Sequence, residues 1–310
     1  MKLKLDIGLD NLLLAFNIVK GNLYPVNKLI NKNELYNILN AYEFNGSAYS
    51  LPYLFFIDHP IVADHVECFY IGNKAFVIEV ESCFTIDKAD VAIKMFGTSN
   101  PDHPGVSTLL SAGGYVISGY VKDFDFSLIN IPYTQLDCTP AVVFQSRNPP
   151  HKAHEIILAK HAPNILYTTP FSTTKSTDYP FSKKLLTYEK LKEIYGVSLY
   201  VSTLPRVFAG PREALQNCLI FQNLGAKQFL MGRGKNCVGN FYRDDEPFKL
   251  CIDFYLQQKI LIEPVWHDTI YSEQIELKAT NIKVEYIDKE ITPPEELMSG
   301  YISSILLNND

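Results

Sequence analysis

Apolar residues along this chain follow two rhythms, and the change between them falls near residue 138. Before it, the runs Tyr53-Leu54-Phe55-Phe56-Ile57, Cys68-Phe69-Tyr70-Ile71 and Ala75-Phe76-Val77-Ile78-Glu79-Val80 alternate with Gly, Asn and Asp turn signals. That pattern predicts a mixed, β-rich region. After it, strand-length apolar runs at 141–144, 164–168, 198–202, 227–231 and 261–265 are separated by helical stretches such as Glu155-Ile156-Ile157-Leu158-Ala159-Lys160. Such alternation predicts an α/β architecture, a parallel sheet with helices on both faces, in which ligands gather beyond the carboxyl ends of the strands. From about residue 270 no period persists, and Ile291-Thr292-Pro293-Pro294-Glu295-Glu296-Leu297 opens a last short helical segment. Neither internal repeats nor a low-complexity tract interrupts the pattern.

Length and composition sharpen this picture. With 310 residues and 47% hydrophobic content the chain can bury a large core divided among two or three domains, expected at 1–138, 139–270 and 271–310. A net charge of −6 argues against a general nucleic-acid binder, so any anion site must be local. The six cysteines Cys68, Cys83, Cys138, Cys218, Cys237 and Cys251 show neither metal-type spacing nor a disulfide framework, and no protein-bound metal is expected. A reducing, cytoplasmic setting fits that usage. Asn11-Leu12-Leu13-Leu14-Ala15-Phe16 follows Asp6 and Asp10 and lacks a small-residue cleavage site, so it reads as a core element. No apolar run approaches the length of a membrane span.

Chemistry concentrates where the strand at 141–144 gives way to a helix, in Gln145-Ser146-Arg147-Asn148-Pro149-Pro150-His151-Lys152-Ala153-His154. Asn148 is a competent N-cap, and Pro149 and Pro150 suit a first helical turn, which predicts the helix start there. His151 and His154, three apart, share one face of that turn near the free N–H groups and positive end of the helix dipole, where phosphate oxygens are favoured. A histidine pair alone reads as an exposed helix start or a structural metal site; the added Arg and Asn turn the reading toward an anion and nucleotide site.

This run meets every defined position of Gln-x-Arg-Asn-Pro-x-His-x-x-His, the signature of the ATP sulfurylase (sulfate adenylyltransferase) family, which the chain strongly resembles. Further segments agree. Phe96-Gly97-Thr98, ending in His103-Pro104-Gly105-Val106, resembles the family's Tyr-Gly-Thr to His-Pro-Gly-Val stretch. Gly21-Asn22-Leu23-Tyr24-Pro25 resembles its Gly-x-Phe-Ser-Pro. Thr174-Lys175-Ser176-Thr177-Asp178 matches Thr-Lys-x-x-Asp, and Ala209-Gly210-Pro211-Arg212-Glu213-Ala214 matches Ala-Gly-Pro-Arg-Glu-Ala. The resemblance runs from about residue 10 and thins after about 245. It implies a PUA-like N-terminal domain, a Rossmann-like nucleotidyltransferase domain and a shortened C-terminal α+β segment.

The implied reaction is in-line attack of a sulfate oxygen on the α-phosphorus of MgATP, giving adenylyl sulfate and pyrophosphate, with Mg²⁺ arriving on the nucleotide and no covalent nucleophile. Both reactants are anions, so the protein must offset their repulsion, align them and stabilise charge on the leaving group. Gln145 and Arg147 match the residues that hold sulfate, an amide beside a guanidinium fork. Asn148, His151 and His154 match those that contact ATP. Arg147, Asn148, His151, His154 and Arg233 form the expected catalytic set.

A second element, Met231-Gly232-Arg233-Gly234-Lys235-Asn236-Cys237-Val238-Gly239, is a basic glycine loop after a strand, where backbone N–H groups can approach an anion. The family has Gly-Arg-Asp-His-Ala-Gly-Val-Gly here. This chain keeps Gly232-Arg233 and Val238-Gly239 and changes the middle to Gly234, Lys235, Asn236 and Cys237. Gly232, Arg233 and Lys235 are expected at the nucleotide, and Asn236 joins Gln145 and Arg147 at the oxyanion. Lys235, a point cation in place of a histidine, alters the geometry of nucleotide contact.

Supporting roles fall to Lys175 and Asp178, which alone would read as a solvated ion pair, and to Arg212. A cation in the first turn of a helix opposes its dipole, so Arg212 should be compensated by Glu213 and solvent, or by an anion or carboxylate. His103 reads as a turn residue, and Cys237 lacks a visible base that would make it a nucleophile. Two other readings stay open: a related nucleotidyltransferase acting on a phosphonate, a carboxylate or a larger sulfated acceptor, and a non-catalytic nucleotide-binding relative. The expected partners are ATP and a small oxyanion, with no nucleic acid and no membrane; a homo-oligomer stays open.

Overall fold

The computed structural model describes residues 3–136, 139–171, 179–233, 237–268, 270–272, 275–277 and 279–308. In chain order its elements are β1 (Leu3–Asp6), α1 (Leu9–Val19), α2 (Lys32–Ala41), β2 (Glu43–Phe44), β3 (Ser47–Ala48), β4 (Phe56–Ile57), β5 (His65–Tyr70), β6 (Asn73–Phe84), α3 (Lys88–Phe96), α4 (Pro104–Ser111) and β7 (Tyr115–Lys122). There follow β8 (Val142–Gln145), α5 (Lys152–His161), β9 (Ile165–Pro170), α6 (Phe181–Tyr195), β10 (Ser198–Ser202), α7 (Pro211–Asn223), β11 (Gln228–Met231), α8 (Glu246–Leu256), β12 (Glu263–Trp266), β13 (Tyr271–Ser272), β14 (Ile275–Glu276), α9 (Ala279–Glu285) and α10 (Gly300–Leu307). Contacts divide them into two units. The first comprises Met1–Asn130, Val207–Asn223 and Gly234–Pro264; the second comprises Ile131–Arg206, Leu224–Arg233 and Val265–Asp310.

The first unit is built on a five-stranded sheet in the order β1-β5-β6-β7-β4, antiparallel except for the β1/β5 pair. The leucine run on α1 is buried, Leu12 through Ile18 all facing the core as the sequence led us to expect. Of the expected strand at 53–57 only Phe56 and Ile57 pair, with β7. Upstream, the Ser50 and Leu51 N–H groups both donate to Gln216 Oε1 at 3.2 Å, so a side chain on α7 satisfies backbone that a neighbouring strand would otherwise pair.

The second unit holds a sheet in the order β10-β9-β8-β11-β12, with β10/β9, β9/β8 and β8/β11 parallel. Each of the five expected strand runs is present to within two residues at either end. The order reverses direction between β8 and β11, because β9 and β10 are laid down to one side of β8 and β11 and β12 to the other. In open α/β sheets that switch point opens a crevice at the carboxyl ends of the two strands. The C-terminal stretch forms a small antiparallel hairpin, β13/β14, and two helices. Its last helix begins at Gly300 and not near 291; Pro293 and Pro294 lie in an irregular turn ahead of it.

Candidate nucleotide and anion site

Two loops leave the carboxyl ends of β8 and β11, the strands that flank the switch point. The first carries Gln145, Arg147, Asn148, His151 and His154; the second begins with Gly232 and Arg233. The sheet thus brings both sequence elements to one edge. Lys175, Asp178, Lys235 and Asn236 lie outside the described residues, as do Gly234 and Cys138.

The first loop is held from beneath by aromatic packing. Phe144 stacks on Tyr167, and Tyr167 stacks on Tyr188 with centroids 4.1 Å apart and planes 2° from parallel. The Tyr188 hydroxyl donates to the Ser146 carbonyl at 2.8 Å and lies 3.2 Å from that of Asn148. Asn148 N–H in turn donates to Ser146 Oγ at 3.2 Å. The peptide groups on both sides of Arg147 are therefore fixed, while its side chain is exposed and has no partner among the described residues. Gln145 and Asn148 are half-buried.

Helix α5 begins three residues later than the Asn-Pro-Pro sequence suggests. His151, not Asn148, is the N-cap, with extended backbone (φ −138°, ψ −179°), and Pro149 and Pro150 are buried ahead of it. His154 stands at the third helical position and its Nδ1 accepts the His151 N–H at 3.1 Å, the part a Glu side chain takes in a capping box. The two rings meet edge to face at 4.1 Å and are 4% and 8% exposed, which removes the reading of a solvent-exposed pair.

Burial drives both imidazoles toward neutrality. It pushes the His151 pKa down to about 4, and holds His154 well below its usual value, aided by the nearby His151 and His267. Since His154 Nδ1 accepts, its ring proton sits on Nε2, a donor. His151 Nδ1 is buried and has no hydrogen-bond partner among the described residues. A polar atom so placed costs free energy unless a ligand meets it.

The backbone of the first turn is partly committed. Lys152 N–H donates to the Leu297 carbonyl at 3.0 Å, and His154 and Glu155 N–H return to the His151 carbonyl at 2.8 and 3.2 Å. The Ala153 N–H is left without an acceptor among the described residues. Glu155, next in sequence, is buried, and its Oε2 accepts from Ser299 Oγ at 2.8 Å, from Tyr195 at 3.2 Å and from Tyr301. The segment from Leu297 to Tyr301 is thereby tied to the first turn of α5.

Sequence reasoning missed His267. It follows β12, its N–H donates to the Met231 carbonyl at 3.1 Å, and its ring meets Phe144 edge-on at 5.7 Å, the same ring that His154 meets at 5.6 Å. A Cβ added to Gly232 would come within 2.7 Å of the His267 ring, so this glycine makes room for an imidazole. No motif surrounds His267; only the strand order brings it here.

Arg212 is compensated by neither set of partners considered for it, and its contacts are structural. Inside the first unit its guanidinium donates to the carbonyls of Leu39 (2.6 Å), Ser50 (3.0 Å) and Ile38 (3.3 Å) and lies 3.9 Å from the Tyr42 ring centroid. Ile38 and Leu39 belong to the last turn of α2, where the dipole is negative, so the cation closes that helix end. Glu213 accepts from the Ala209 and Val207 N–H groups at the start of α7. His103 is a fully buried N-cap, its Nδ1 accepting from Gly105 and Val106, with Nε2 3.0 Å from the Tyr242 hydroxyl. The Cys237 thiol is pushed up to about 12 by burial and then by Asp244 and Glu246, which keeps it protonated and a poor nucleophile.

Comparison with known proteins assigns both halves of the chain to families. Residues 132–308 match the model of the ATP-sulfurylase family, and residues 3–125 match a PUA-like domain. The chain is 28% identical to a sulfate adenylyltransferase of Carboxydothermus hydrogenoformans over 77% of its own length and 70% of that protein. It is 27% identical to one from Synechococcus sp. over 90% and 82%. Among solved structures, a hexameric APS kinase from Thiobacillus denitrificans superposes with a TM-score of 0.70 over 98% of this chain and 62% of that one, at 12% identity. That likeness concerns the fold.

Proposed function

The chain belongs to the ATP-sulfurylase family and is a transferase of that type, and from that premise we propose that it joins sulfate to the α-phosphate of ATP at the switch point of its second sheet. The observation that carries this reading is the buried His151 Nδ1, which has no partner among the described residues, beside a neutral His154 whose Nε2–H is a donor, at a helix start flanked by the exposed cation of Arg147.

In this reading Arg147 and Gln145 hold the oxyanion, with Asn236 contributing from the second loop. Asn148, His151, His154, Gly232, Arg233 and Lys235 hold the nucleotide, and Lys175 and Asp178 take supporting roles. The α-phosphate lies where His154 Nε2–H and the Ala153 N–H can donate, so charge that grows on its oxygens meets fixed donors in a site that burial has already desolvated. Sulfate attacks in line, the bond to the bridging oxygen breaks, and pyrophosphate leaves with its electron pair. Neither histidine needs to transfer a proton, which suits imidazoles held neutral. Among the described residues no three His, Cys, Asp or Glu side chains converge on a metal position. Cations and neutral imidazoles instead fit a Mg²⁺ already held by the oxygens of ATP, where it would screen the triphosphate and stabilise the departing pyrophosphate. A cytoplasmic setting completes the reading; no described helix is long and apolar enough to cross a membrane.

A second reading keeps the reaction and changes the acceptor, because Gly234, Lys235, Asn236 and Cys237 replace the middle of the family's second loop. Pyrophosphate release from MgATP, measured with sulfate and then with phosphonates and carboxylates, separates the two. Sulfate should be the preferred acceptor; release with another acceptor and none with sulfate would replace the first reading with the second.

A further inference from the structure

We infer that His103 is a positioning residue for the second loop, holding the return limb of that loop, Val238 to Tyr242, through the Tyr242 hydroxyl. The inference rests on the reading above in which this loop meets the anionic substrates, and it gives a task to a histidine that the sequence marks only as a turn residue.

The fold asks more of His103 than a cap. Its Nδ1 accepts from the Gly105 and Val106 N–H groups at 3.1 and 3.3 Å, which closes the start of α4 and leaves the ring hydrogen on Nε2. Nε2–H therefore donates to the Tyr242 hydroxyl at 3.0 Å, and that hydroxyl donates onward to the Phe208 carbonyl at 3.2 Å. Asparagine is among the best N-caps and could satisfy the two N–H groups alone, so the second nitrogen is what an imidazole adds at this position. The ring is fully enclosed, and burial lowers its pKa, so it stays the neutral donor and acceptor that this directed chain of bonds needs. Two consecutive residues then pack on it, Phe241 edge-on at 4.8 Å and Tyr242 edge-on at 5.7 Å. A Cβ on Gly210 would come within 2.7 Å of the Tyr242 ring, so the segment ahead of α7 is shaped to seat that tyrosine. Upstream the limb is lightly held. Cys237 and Val238 are half-buried, Gly239 and Asn240 are exposed, the Phe241 N–H reaches the Val238 carbonyl at 3.3 Å, and the Cys237 thiol lies 3.6 Å from the Arg243 carbonyl. The tie at Tyr242 is thus where the limb gains its order, and a limb ordered in advance need not be ordered by the ligand.

Four variants of the full chain, read by calorimetric titration of MgATP and by amide hydrogen exchange, separate the cap from the tie. His103→Asn keeps the cap and cannot reach Tyr242; it should weaken MgATP binding about tenfold and speed exchange at 237–243 while α4 exchanges at the parental rate. His103→Gln extends an amide to the Nε2 position and gives up much of the cap; it should bind MgATP nearly as the parent does, with faster exchange in α4. Tyr242→Phe keeps the ring and removes the hydroxyl, and should weaken binding about as much as His103→Asn. Combining Tyr242→Phe with His103→Asn should add little, since both break one bond. Parental MgATP affinity in both His103→Asn and Tyr242→Phe would overturn the inference, as would affinity that follows the stability of α4 instead of the exchange of the limb. A parent chain that binds no MgATP would reject the proposed function and the substrate role of the loop together, while the exchange data judge the tie to Tyr242 on their own.

Discussion

At the scale of single residues, the proposed site is built on two imidazoles whose charge state burial has already set. His151 and His154 are neutral because their charged forms are poorly solvated, and this has a consequence for acid stability. Unfolded histidines titrate near 6.5, whereas folded His151 titrates at about 4 and His154 is shifted in the same direction. Between those values the unfolded chain binds more protons, so stability should be full above about pH 6.5 and fall as pH drops toward 4, by up to about 1.4 kcal/mol per pH unit for each group. Denaturant midpoints across that range check it, and His151→Asn should flatten the slope. Arg212 carries a different prediction. Arg212→Ala takes a donor from three carbonyls, of which, among the described residues, only that of Ile38 keeps a second one, the Tyr42 N–H, and should destabilise the chain by about 2–3 kcal/mol, read as a lower denaturant midpoint; Arg212→Lys should recover only part, since one ammonium cannot span the Leu39, Ser50 and Ile38 carbonyls. The partners of Arg212 were not legible in the sequence because they are backbone oxygens more than 160 positions away, and no side-chain pattern marks those. That Arg147, Asn148, His151 and His154 lie near one another was legible, because one loop and the first turn of α5 carry them.

At the scale of elements, the alternation of apolar runs was sufficient to locate all five strands of the second sheet, but not the start of α5. Asn148 before two prolines has the composition of an N-cap, yet the chain stays extended through His151 because His154 supplies the capping acceptor, a part that imidazole seldom plays. The same helix is gripped by the chain around the start of α10, through the Leu297 carbonyl and through Glu155 with Ser299 and Tyr301, and Tyr195 at the end of α6 adds a bond to Glu155. Residues more than 140 positions downstream thus hold the turn that bears both histidines. Tyr301→Phe and Glu155→Gln should each cost about 1–3 kcal/mol and speed amide hydrogen exchange in α5 more than in α6. The double variant should lose less than the sum, because the two side chains share one hydrogen bond. Additive losses, or exchange that rises equally in both helices, would separate Glu155 from the positioning of α5.

At the scale of the whole molecule, the chain writes its two compact units in an interleaved order, with α7 and α8 packed into the first although both follow the start of the second. A linear reading of periodicity sees the alternation of strand and helix but not which sheet a helix joins, since the deciding contacts are far apart in sequence. The same limit explains His267. The proposed reaction draws on both loops at the switch point, and the oxyanion mimic molybdate tests that proposal most directly, because its adenylyl adduct hydrolyses and drives turnover forward. With MgATP and molybdate the protein should release AMP and pyrophosphate, and Arg147→Ala should abolish that release while keeping the fold and most of the ATP affinity. Release at the parental rate in the Arg147→Ala variant, or none from the parent with either molybdate or sulfate while MgATP still binds, would contradict the account.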